Sequence, residues 1–468
     1  MELPAELEGL LHKAKGLTAD SREVREGFLF FAVKGSSFDG HEFIEDAVRR
    51  GAIGIIGERE IKGLALPYIR VRNVRKTLAL SAHLFYGKPS HGIKVIGITG
   101  TNGKTSVTYI LESILRERGE SVGVIGTVNY RLGGRVMGEG RTTPDPVSWH
   151  RVLREMKEGG AGYVVAEVSS HALDQFRVWG TLFQSAIFTN LTRDHLDYHR
   201  GMEDYFRAKR RLFLEYRKEL SIINGDDPYG KRLLAELGSE ALSYGREGDV
   251  RIKRFKTSME GSEIEVEFRG KRYAFKSSLV GDFQAYNLCA AIAYALYYRT
   301  EPEVITSALR DVYIPGRFEV LRCRGGFWVV VDYAHTPDAM DNVLGTVRKL
   351  SVGRVITLFG AGGNRDRDKR PMMGEVAERW SDLIFLTSDN PRDEDPLDII
   401  AHILAGIKDK RKVTVIPDRE EAIGRALSVA RGGDVVAILG KGHETFQEIK
   451  GTRRFFSDKE TVRRFLRC

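Results

Sequence analysis

Short apolar runs rich in β-branched residues recur along most of the chain, with helical patterns between them. From Ile93 onward the runs are IKVIGIT, YVVAEVS, SAIFTNL and LSIINGDD. Continuous apolar runs of this length are typical of strands that are buried on both faces of a parallel sheet. After a break at Ile314-Pro315-Gly316, a second series follows with FWVVVDY, RVITLFG, DLIFLTSD, KVTVIPD and DVVAILG. The pattern predicts two successive α/β layer structures.

Two stretches depart from this pattern. Residues 1–90 mix short apolar runs with helical patches and end at the turn-like GKPSHG. Between about 250 and 280, apolar and polar residues alternate, which predicts an antiparallel meander, and the alanine-rich AYNLCAAIAYALYY predicts a helix after it. We therefore expect an α/β protein of three domains. They are an N-terminal domain (1–91), a central domain with a mostly parallel sheet of the phosphate-loop type and the appended meander (92–314), and a C-terminal Rossmann-like domain (315–468).

The composition narrows the class of protein. No apolar run approaches the ~20 residues that span a bilayer, and the start MELPAELEGLL lacks the basic region of a signal peptide. Three widely separated cysteines fit neither a disulfide framework nor a C-x-x-C metal site, which favours the cytoplasm. The net charge of +9 would attract acidic ligands. Because the basic residues are dispersed and no nucleic-acid-binding motif is found, we expect small anionic substrates rather than nucleic acid or a membrane.

The strongest local signal is the segment Gly97-Ile-Thr-Gly-Thr-Asn-Gly-Lys-Thr105, which lies between a predicted strand and a predicted helix. Glycines let backbone N–H groups face phosphates, Lys104 supplies a positive charge, and the Thr105 hydroxyl can hold Mg²⁺. Ile98 stands where the standard motif has its first glycine, so this is the shorter G-T-x-G-K-T form. The alternative is a glycine turn with a chance Lys-Thr; the flanking strand and helix favour a nucleotide site.

Further polar residues follow the next predicted strands. Glu167 ends one strand, the segment 190–199 (NLTRDHLDYH) follows another, and Lys209 lies in the helix that begins near Glu203. Ligands gather at the carboxyl ends of strands in open α/β sheets. Taken alone, a structural hydrogen bond for Glu167 and a solvated helix face for Lys209 are the commoner roles. The number of these polar residues and their order along the chain favour a functional site.

The chain contains six motifs in order: G-T-N-G-K-T, E-V-S-S-H, T-N-L-T-R-D-H-L-D-Y-H, G-R-F-E (316–319), D-Y-A-H-T-P-D-A (332–339) and G-K-G-H-E (440–444). Together they resemble the motifs of the Mur ligase family. Within the family the chain is most similar to the members that add the third residue of the peptide, because Asp20-Ser-Arg22, Thr142-Thr-Pro144 and Asp389-Asn-Pro-Arg392 are also present.

The resemblance implies a cytoplasmic, monomeric, ATP-dependent ligase of peptidoglycan precursor synthesis that uses Mg²⁺. It would add meso-2,6-diaminopimelate to UDP-MurNAc-L-Ala-D-Glu through an acyl phosphate and release ADP and phosphate. Two alternatives stay open, namely the same ligation with L-lysine and a phosphate-loop ATPase with a regulatory role.

The resemblance also implies a role for each matching position, beginning with the nucleotide and the metal. Lys104, Lys209 and His195 would be catalytic. The ATP contacts would be Gly100, Thr101, Asn102, Gly103, Lys104, Thr105, Asn287, Arg317 and Asp332, and the metal ligands would be Thr105, Glu167, His195 and Lys209 as a carbamate.

The remaining positions would bind the other two substrates. The UDP-linked substrate would contact Ser21, Ser36, Ser37, Phe38, Thr142, Thr143, Ser169, Gln175 and Arg177, although Arg141 departs from relatives that carry Asn before the two threonines. Diaminopimelate would contact Arg365, Asp389, Asn390, Pro391, Arg392, Gly440 and Glu444. Since an arginine fork binds a carboxylate through two parallel hydrogen bonds, Arg365 and Arg392 are the candidates for the distal carboxylate that lysine lacks.

Overall fold

The computed structural model describes residues 3–35, 38–138, 140–216 and 218–466. The chain divides into two compact units. One consists of residues 1–99, 119–187 and 207–221, and the other of residues 100–118, 188–206 and 222–468. The predicted domain boundaries at residues 91/92 and 314/315 stay predictions.

The N-terminal part is a small parallel sheet with helices on both faces. Its strands lie in the order β1-β2-β3-β4, and every neighbouring pair is parallel. Leu29 and Phe31 point to one apolar core and Phe30 to the other, as the two-residue period of a strand requires. The elements are α1 (Ala5–Leu11), β1 (Gly16–Thr18), β2 (Phe28–Phe31), α2 (Ile44–Arg49), β3 (Ala52–Gly57), β4 (Tyr68–Arg70) and α3 (Val74–Phe85).

The central part contains the strands predicted from the continuous apolar runs and the predicted helix at the phosphate loop. Its strands are β5 (Lys94–Thr99), β6 (Val122–Ile125), β7 (Tyr130–Leu132), β8 (Arg135–Gly138), β9 (Tyr163–Glu167), β10 (Phe183–Phe188), β11 (Leu220–Asn224), β12 (Ala241–Gly245), β13 (Val250–Ser258), β14 (Gly261–Phe268) and β15 (Lys271–Ser277). Its helices are α4 (Lys104–Glu117), α5 (Pro146–Glu158), α6 (Ser170–Asp174), α7 (Met202–Leu214), α8 (Pro228–Leu237), α9 (Gln284–Tyr297) and α10 (Pro302–Arg310).

Within the first unit, the strands lie in the order β10-β5-β9-β6-β7-β8, and β9 is parallel to both β5 and β6. Within the second unit the order is β15-β14-β13-β12-β11. Strands β13, β14 and β15 pair antiparallel, which confirms the predicted meander. The alanine-rich helix α9 is almost entirely buried and packs against α4, since its small side chains allow close approach.

The C-terminal part is a second doubly wound sheet in the order β16-β17-β21-β18-β19-β20, in which only β16 is antiparallel to its neighbour. Val330 faces one core, and Val329 and Val331 face the other. The predicted α/β class is confirmed. The elements are β16 (Glu319–Arg322), β17 (Trp328–Asp332), α11 (Pro337–Leu350), β18 (Val355–Phe359), α12 (Lys369–Trp380), β19 (Leu383–Leu386), α13 (Pro396–Leu404), β20 (Val413–Val415), α14 (Arg419–Val429), β21 (Val435–Leu439), β22 (Phe446–Ile449), β23 (Thr452–Phe455) and α15 (Asp458–Leu466).

Among the helices of the described ranges, none combines the length and the apolar character that a membrane span needs.

Candidate active site

The predicted phosphate loop connects β5 to α4 and depends on two glycines. Gly100 has φ +152° and Gly103 has φ +85°, values that side-chain-bearing residues rarely adopt. A Cβ atom would lie 1.8 Å from the Thr189 hydroxyl oxygen at Gly100, and 2.3 Å from Asn287 Oδ1 at Gly103. Only glycine fits at either position, so the loop has the tight backbone that a phosphate cradle requires.

Positive charge lies at this loop. Lys104 Nζ donates to the carbonyl oxygens of Gly100 (2.9 Å) and Thr101 (2.8 Å). The buried Thr105 hydroxyl accepts from Arg317 Nη2 at 3.2 Å, and the Arg317 guanidinium stacks 4.7 Å from the centre of the Tyr333 ring. The second unit therefore brings Lys104 and Arg317 to the same loop, as the predicted ATP site requires.

Asp332 holds the backbone near Arg317. Its carboxylate accepts from the backbone N–H groups of Phe318 (2.6 Å) and Ala334 (2.7 Å). Burial raises the pKa of this carboxyl to about 6, against the opposing effects of Arg317 and these two hydrogen bonds. The predicted contact of Asp332 with the nucleotide stays a prediction, whereas its contact with the turn that carries Arg317 is direct.

Thr192 and Asp338, which received no role from the sequence analysis, form hydrogen bonds at the phosphate loop. Asn102 Nδ2 donates to Asp338 Oδ2 at 2.7 Å, and the Thr192 hydroxyl donates to the same oxygen at 3.2 Å. The backbone N–H of Asn102 donates to Asn190 Oδ1 at 2.9 Å. Thr192 and Asp338 belong to motifs noted in the sequence, but nothing local shows that Asp338 meets Thr192, 146 positions away, or Asn102, 236 positions away.

Glu167, His195 and Lys209, the predicted metal-binding residues outside the phosphate loop, differ in their surroundings. Glu167 ends β9 and is buried; its carboxylate accepts from the Thr127 backbone N–H and hydroxyl, both at 2.9 Å. His195 has φ +55°, and its Nε2 lies 3.5 Å from Asp194 Oδ2. Lys209 is 1% exposed, so the interpretation as a solvated helix face is wrong.

No group of three or more His, Cys, Asp or Glu side chains in the described ranges is arranged to hold a metal ion. Of these residue types, the predicted set of metal ligands contains only Glu167 and His195. Its other two members are the Thr105 hydroxyl and Lys209 as a carbamate. It stays a prediction.

In the first unit, the residues predicted for the muramoyl-dipeptide end lie together. The Thr143 hydroxyl donates to the Glu167 carbonyl oxygen at 2.8 Å and accepts from the Ser169 backbone N–H at 3.0 Å. Arg177 donates to the Thr143 carbonyl oxygen at 2.9 Å and to Gln175 Oε1 at 2.9 Å.

Thr127, which the sequence did not reveal, joins this cluster. Its hydroxyl lies 3.0 Å from that of Thr142 and also donates to Glu167. A hydroxyl-rich cluster with one arginine is suited to an acidic, hydroxylated ligand.

Of the four residues predicted for the uridine end, the structure describes Ser21 and Phe38. Ser21 is buried at the start of a short 3₁₀ turn, in which the Asp20 carboxylate accepts from the Arg22 backbone N–H at 3.0 Å. Phe38 is 70% exposed and lies edge to face with Phe43. Ser36 and Ser37 lie outside the described residues.

The residues predicted for diaminopimelate follow three adjacent strands, β21, β18 and β19, at their carboxyl ends. Asn390 Nδ2 donates to Glu444 Oε2 at 2.8 Å, and the buried Asp389 carboxylate lies against Gly440, where a Cβ would come within 2.5 Å of Asp389 Oδ2. Gly440 has φ +110°, so glycine is required there for two reasons.

The two predicted carboxylate-binding arginines lie on neighbouring loops. Arg392 has φ +51°, and its Nη1 donates to the Gly363 carbonyl oxygen at 2.6 Å. A Cβ at Gly363 would lie 1.9 Å from the Pro391 carbonyl oxygen, so the loops after β18 and β19 touch through their backbones. Arg365 is exposed, and its Nη1 lies 3.4 Å from the Asn364 carbonyl oxygen.

Comparison with known proteins gives consistent results over nearly the whole chain. Three family models match: "Mur ligase family, catalytic domain" at residues 13–86, "Mur ligase middle domain" at 98–295, and "Mur ligase, glutamate ligase domain" at 316–442. A UDP-N-acetylmuramoyl-L-alanyl-D-glutamate–2,6-diaminopimelate ligase of Aquifex aeolicus is 56% identical and covers 98% of this chain and 95% of its own. The ligase of the same name from Solibacter usitatus is 45% identical, over 97% and 93%.

Solved structures similar to this chain also include Mur ligases. A ligase structure with the same name has a TM-score of 0.71 at 32% identity and covers 97% of this chain and 95% of its own. The MurF ligase of Thermotoga maritima in complex with ADP has a TM-score of 0.62 at 22% identity, over 98% and 97%. The second likeness concerns the fold alone.

Proposed function

We propose, since the chain belongs to the Mur ligase family, that it is an ATP-dependent ligase that joins meso-2,6-diaminopimelate to UDP-MurNAc-L-Ala-D-Glu. The observation that carries the proposal is 56% identity, over 98% of this chain, to a ligase named for these substrates. The phosphate loop with Lys104 and the Asp389–Arg392 loop both support it. One chain carries the proposed residues for all three substrates, so our proposal needs only a monomer, and it assigns the reaction to the cytoplasm.

The first step brings two anions together, because the D-glutamate carboxylate of the substrate attacks the γ-phosphorus of ATP. Lys104 and Arg317, which both contact the phosphate loop, offset the repulsion and stabilise the charge in transfer. Mg²⁺ bound at the predicted oxygen ligands would add Lewis-acid stabilisation of the phosphate oxygens, and hydroxyl and carboxylate oxygens are the donors it prefers. The products of this step are an acyl phosphate and ADP.

Lys209 is buried, which is unusual for a lysine. An ammonium group in a protein interior is costly unless it is paired, and Lys209 is 1% exposed. When its neutral amine adds carbon dioxide and releases a proton, the product is an anionic carbamate, which would supply an oxygen ligand for a hard metal ion instead of a competing positive charge. This is the role that we assign to it.

The second step forms the amide. The amine nitrogen of diaminopimelate attacks the acyl carbon, phosphate leaves, and the nitrogen loses its proton. Asp389 and Glu444 bind ammonium groups, and the guanidinium groups of Arg392 and Arg365 bind carboxylates. Thr143, Ser169 and Arg177 hold the peptide end whose carboxylate reacts.

The test uses purified protein with ATP, Mg²⁺ and UDP-MurNAc-L-Ala-D-Glu, offered meso-diaminopimelate or L-lysine in separate reactions. We expect a product with the mass of the diaminopimelate adduct and one phosphate released per adduct. Equal use of L-lysine would refute the specificity and leave the ligase assignment. Phosphate release without any adduct would favour an ATPase with a regulatory role.

A further inference from the structure

Lys441 lies in the loop after β21 and is fully buried. Its Nζ donates to Glu444 Oε2 at 3.0 Å and to Asn390 Oδ1 at 3.2 Å, and lies 5.6 Å from the centre of the Phe446 ring. The family resemblance gave roles to Asn390 and Glu444 but none to Lys441. A buried ammonium that bridges two substrate-binding residues requires an explanation, because its desolvation costs free energy.

We propose that Lys441 is a positioning residue for the amino-acid substrate, an inference that rests on the proposed function. Its ammonium sets the orientation of the Asn390 amide and of the Glu444 carboxylate.

The Asn390 amide has one orientation that satisfies its neighbours. Its Oδ1 accepts from Lys441 and from the Glu448 backbone N–H at 2.9 Å, which directs Nδ2 to Glu444 Oε2 at 2.8 Å. Rotating the amide by 180° would set its NH₂ group against two donors. Lys441 therefore contributes to the hydrogen bond that Asn390 makes to Glu444.

Glu444 is held by one of its two oxygens. Oε2 takes the hydrogen bonds from Lys441 and Asn390, whereas Oε1 lies 3.5 Å from the Tyr333 hydroxyl, the outer limit of a hydrogen bond. The side chain of Glu444 is 18% exposed and that of Lys441 is 0% exposed. This geometry commits Oε2 to Lys441 and Asn390 and leaves Oε1 as the oxygen for the ammonium group of the substrate.

The backbone around Lys441 is closely packed, which makes the anchor rigid. Its two neighbours are glycines with positive φ, Gly440 at +110° and Gly442 at +50°. A Cβ at Gly442 would lie 2.7 Å from the Gly316 carbonyl oxygen. This close packing opposes a movement of the loop that would offset the loss of the ammonium.

The test is Lys441→Met, which keeps the apolar stem and removes the ammonium. We expect the KM for diaminopimelate to rise at least about 30-fold, the lower limit for truncating one partner of a buried charge pair. The KM values for ATP and for the UDP-linked substrate should change less than about threefold. A matched control is Lys408→Met, which removes an exposed lysine from the same part of the chain and should change none of them.

Lys441→Met leaves a partly buried carboxylate without its cation and can prevent folding. The second variant therefore combines Lys441→Met with Glu444→Gln, so that neither charge remains. If Lys441 acts through Glu444, the rise in KM for diaminopimelate in the double variant will be smaller than the product of the two single effects. If Lys441→Met does not fold, the KM of the double variant is instead compared with that of Glu444→Gln alone, and the two values should be close.

Three results overturn the inference. They are an unchanged KM for diaminopimelate in Lys441→Met, an equal rise in KM for all three substrates, and a KM for diaminopimelate in the double variant that is far above that of Glu444→Gln. A wild-type protein that forms no diaminopimelate adduct would instead refute the proposed function.

Discussion

The ion pair between the buried Arg370 and the partly buried Glu394 gives a prediction about both stability and the amino-acid site. The Arg370 side chain is 0% exposed and donates to Glu394 through Nη1 (3.0 Å) and Nη2 (2.9 Å). Glu394 Oε1 also accepts from the Asn364 backbone N–H at 2.6 Å, directly before Arg365. The pair therefore fixes the loop that carries one of the two predicted carboxylate-binding arginines.

The magnitude follows from the pKa of Glu394. The hydrogen bonds from Arg370, against a smaller desolvation effect, lower this pKa from 4.5 to about 2. At about 1.4 kcal/mol for each pKa unit, the ionised carboxylate stabilises the fold by about 3 kcal/mol. Because the pKa is lower in the folded state, this contribution is complete above pH 4.5 and is lost as the pH falls from 4.5 toward 2.

The perturbation is Glu394→Gln, which keeps the shape, removes the charge and places an NH₂ group against the Arg370 donors. Urea unfolding at pH 7 should show a loss of about 3 kcal/mol for this variant. The difference from wild type should shrink between pH 4.5 and pH 3. Glu375→Gln, an exposed position on the same helix as Arg370, should lose less than about 0.5 kcal/mol.

Catalysis should respond as well, with a higher KM for diaminopimelate and an unchanged KM for ATP, since the Arg365 loop loses its anchor. A difference in stability between Glu394→Gln and wild type that is constant from pH 7 to pH 3 would refute the electrostatic origin of the effect.

Three further outcomes are expected. Lys104→Ala should lower the ligation rate roughly 100-fold or more without lowering the Tm, because this side chain contacts loop carbonyls and not the apolar core; rapid turnover would refute the role of Lys104. Lys209→Ala should nearly abolish activity, and added short-chain carboxylic acids should partly restore it by replacing the carbamate oxygens; full activity without them would refute the carbamate. Arg392→Ala should raise the KM for diaminopimelate at least about 30-fold, the effect of leaving a buried carboxylate unpaired, with little change for ATP, as initial rates at varied concentrations of each substrate will show.

Much of the fold was predictable because burial on both faces of a sheet imposes continuous apolar runs. Strands β9, β17, β18 and β21 are of this kind, and each was located from its run. The hairpin of β22 and β23 was not found, since every residue of Thr452–Phe455 is exposed and carries no apolar pattern. Strands of this kind are defined by their pairing partner rather than by their own composition.

The predicted site residues were identified one motif at a time, and what joins them was not visible in the sequence. The hydrogen bond from Asn102 to Asp338 spans 236 positions, and Lys441 reaches Asn390 across 51. Tertiary structure alone creates such pairs. Thr127 is a similar case, because its role depends on the end of β6 lying beside the end of β9.

Lys209 shows that a stricter use of helical periodicity would have indicated the burial of a site residue. Read as letters, A-K-R-R-L-F places three basic residues in a row and suggests a solvated surface. Read at helical spacing, Lys209 follows Tyr205 by four positions and precedes Leu212 by three, and all three side chains are buried. Arg207 lies on the opposite, exposed side. A lysine on the apolar face of an amphipathic helix must be paired, neutral or chemically altered. Helix geometry therefore excludes a solvated role for Lys209 before any resemblance is considered, and leaves the carbamate as a hypothesis that the rescue experiment can decide.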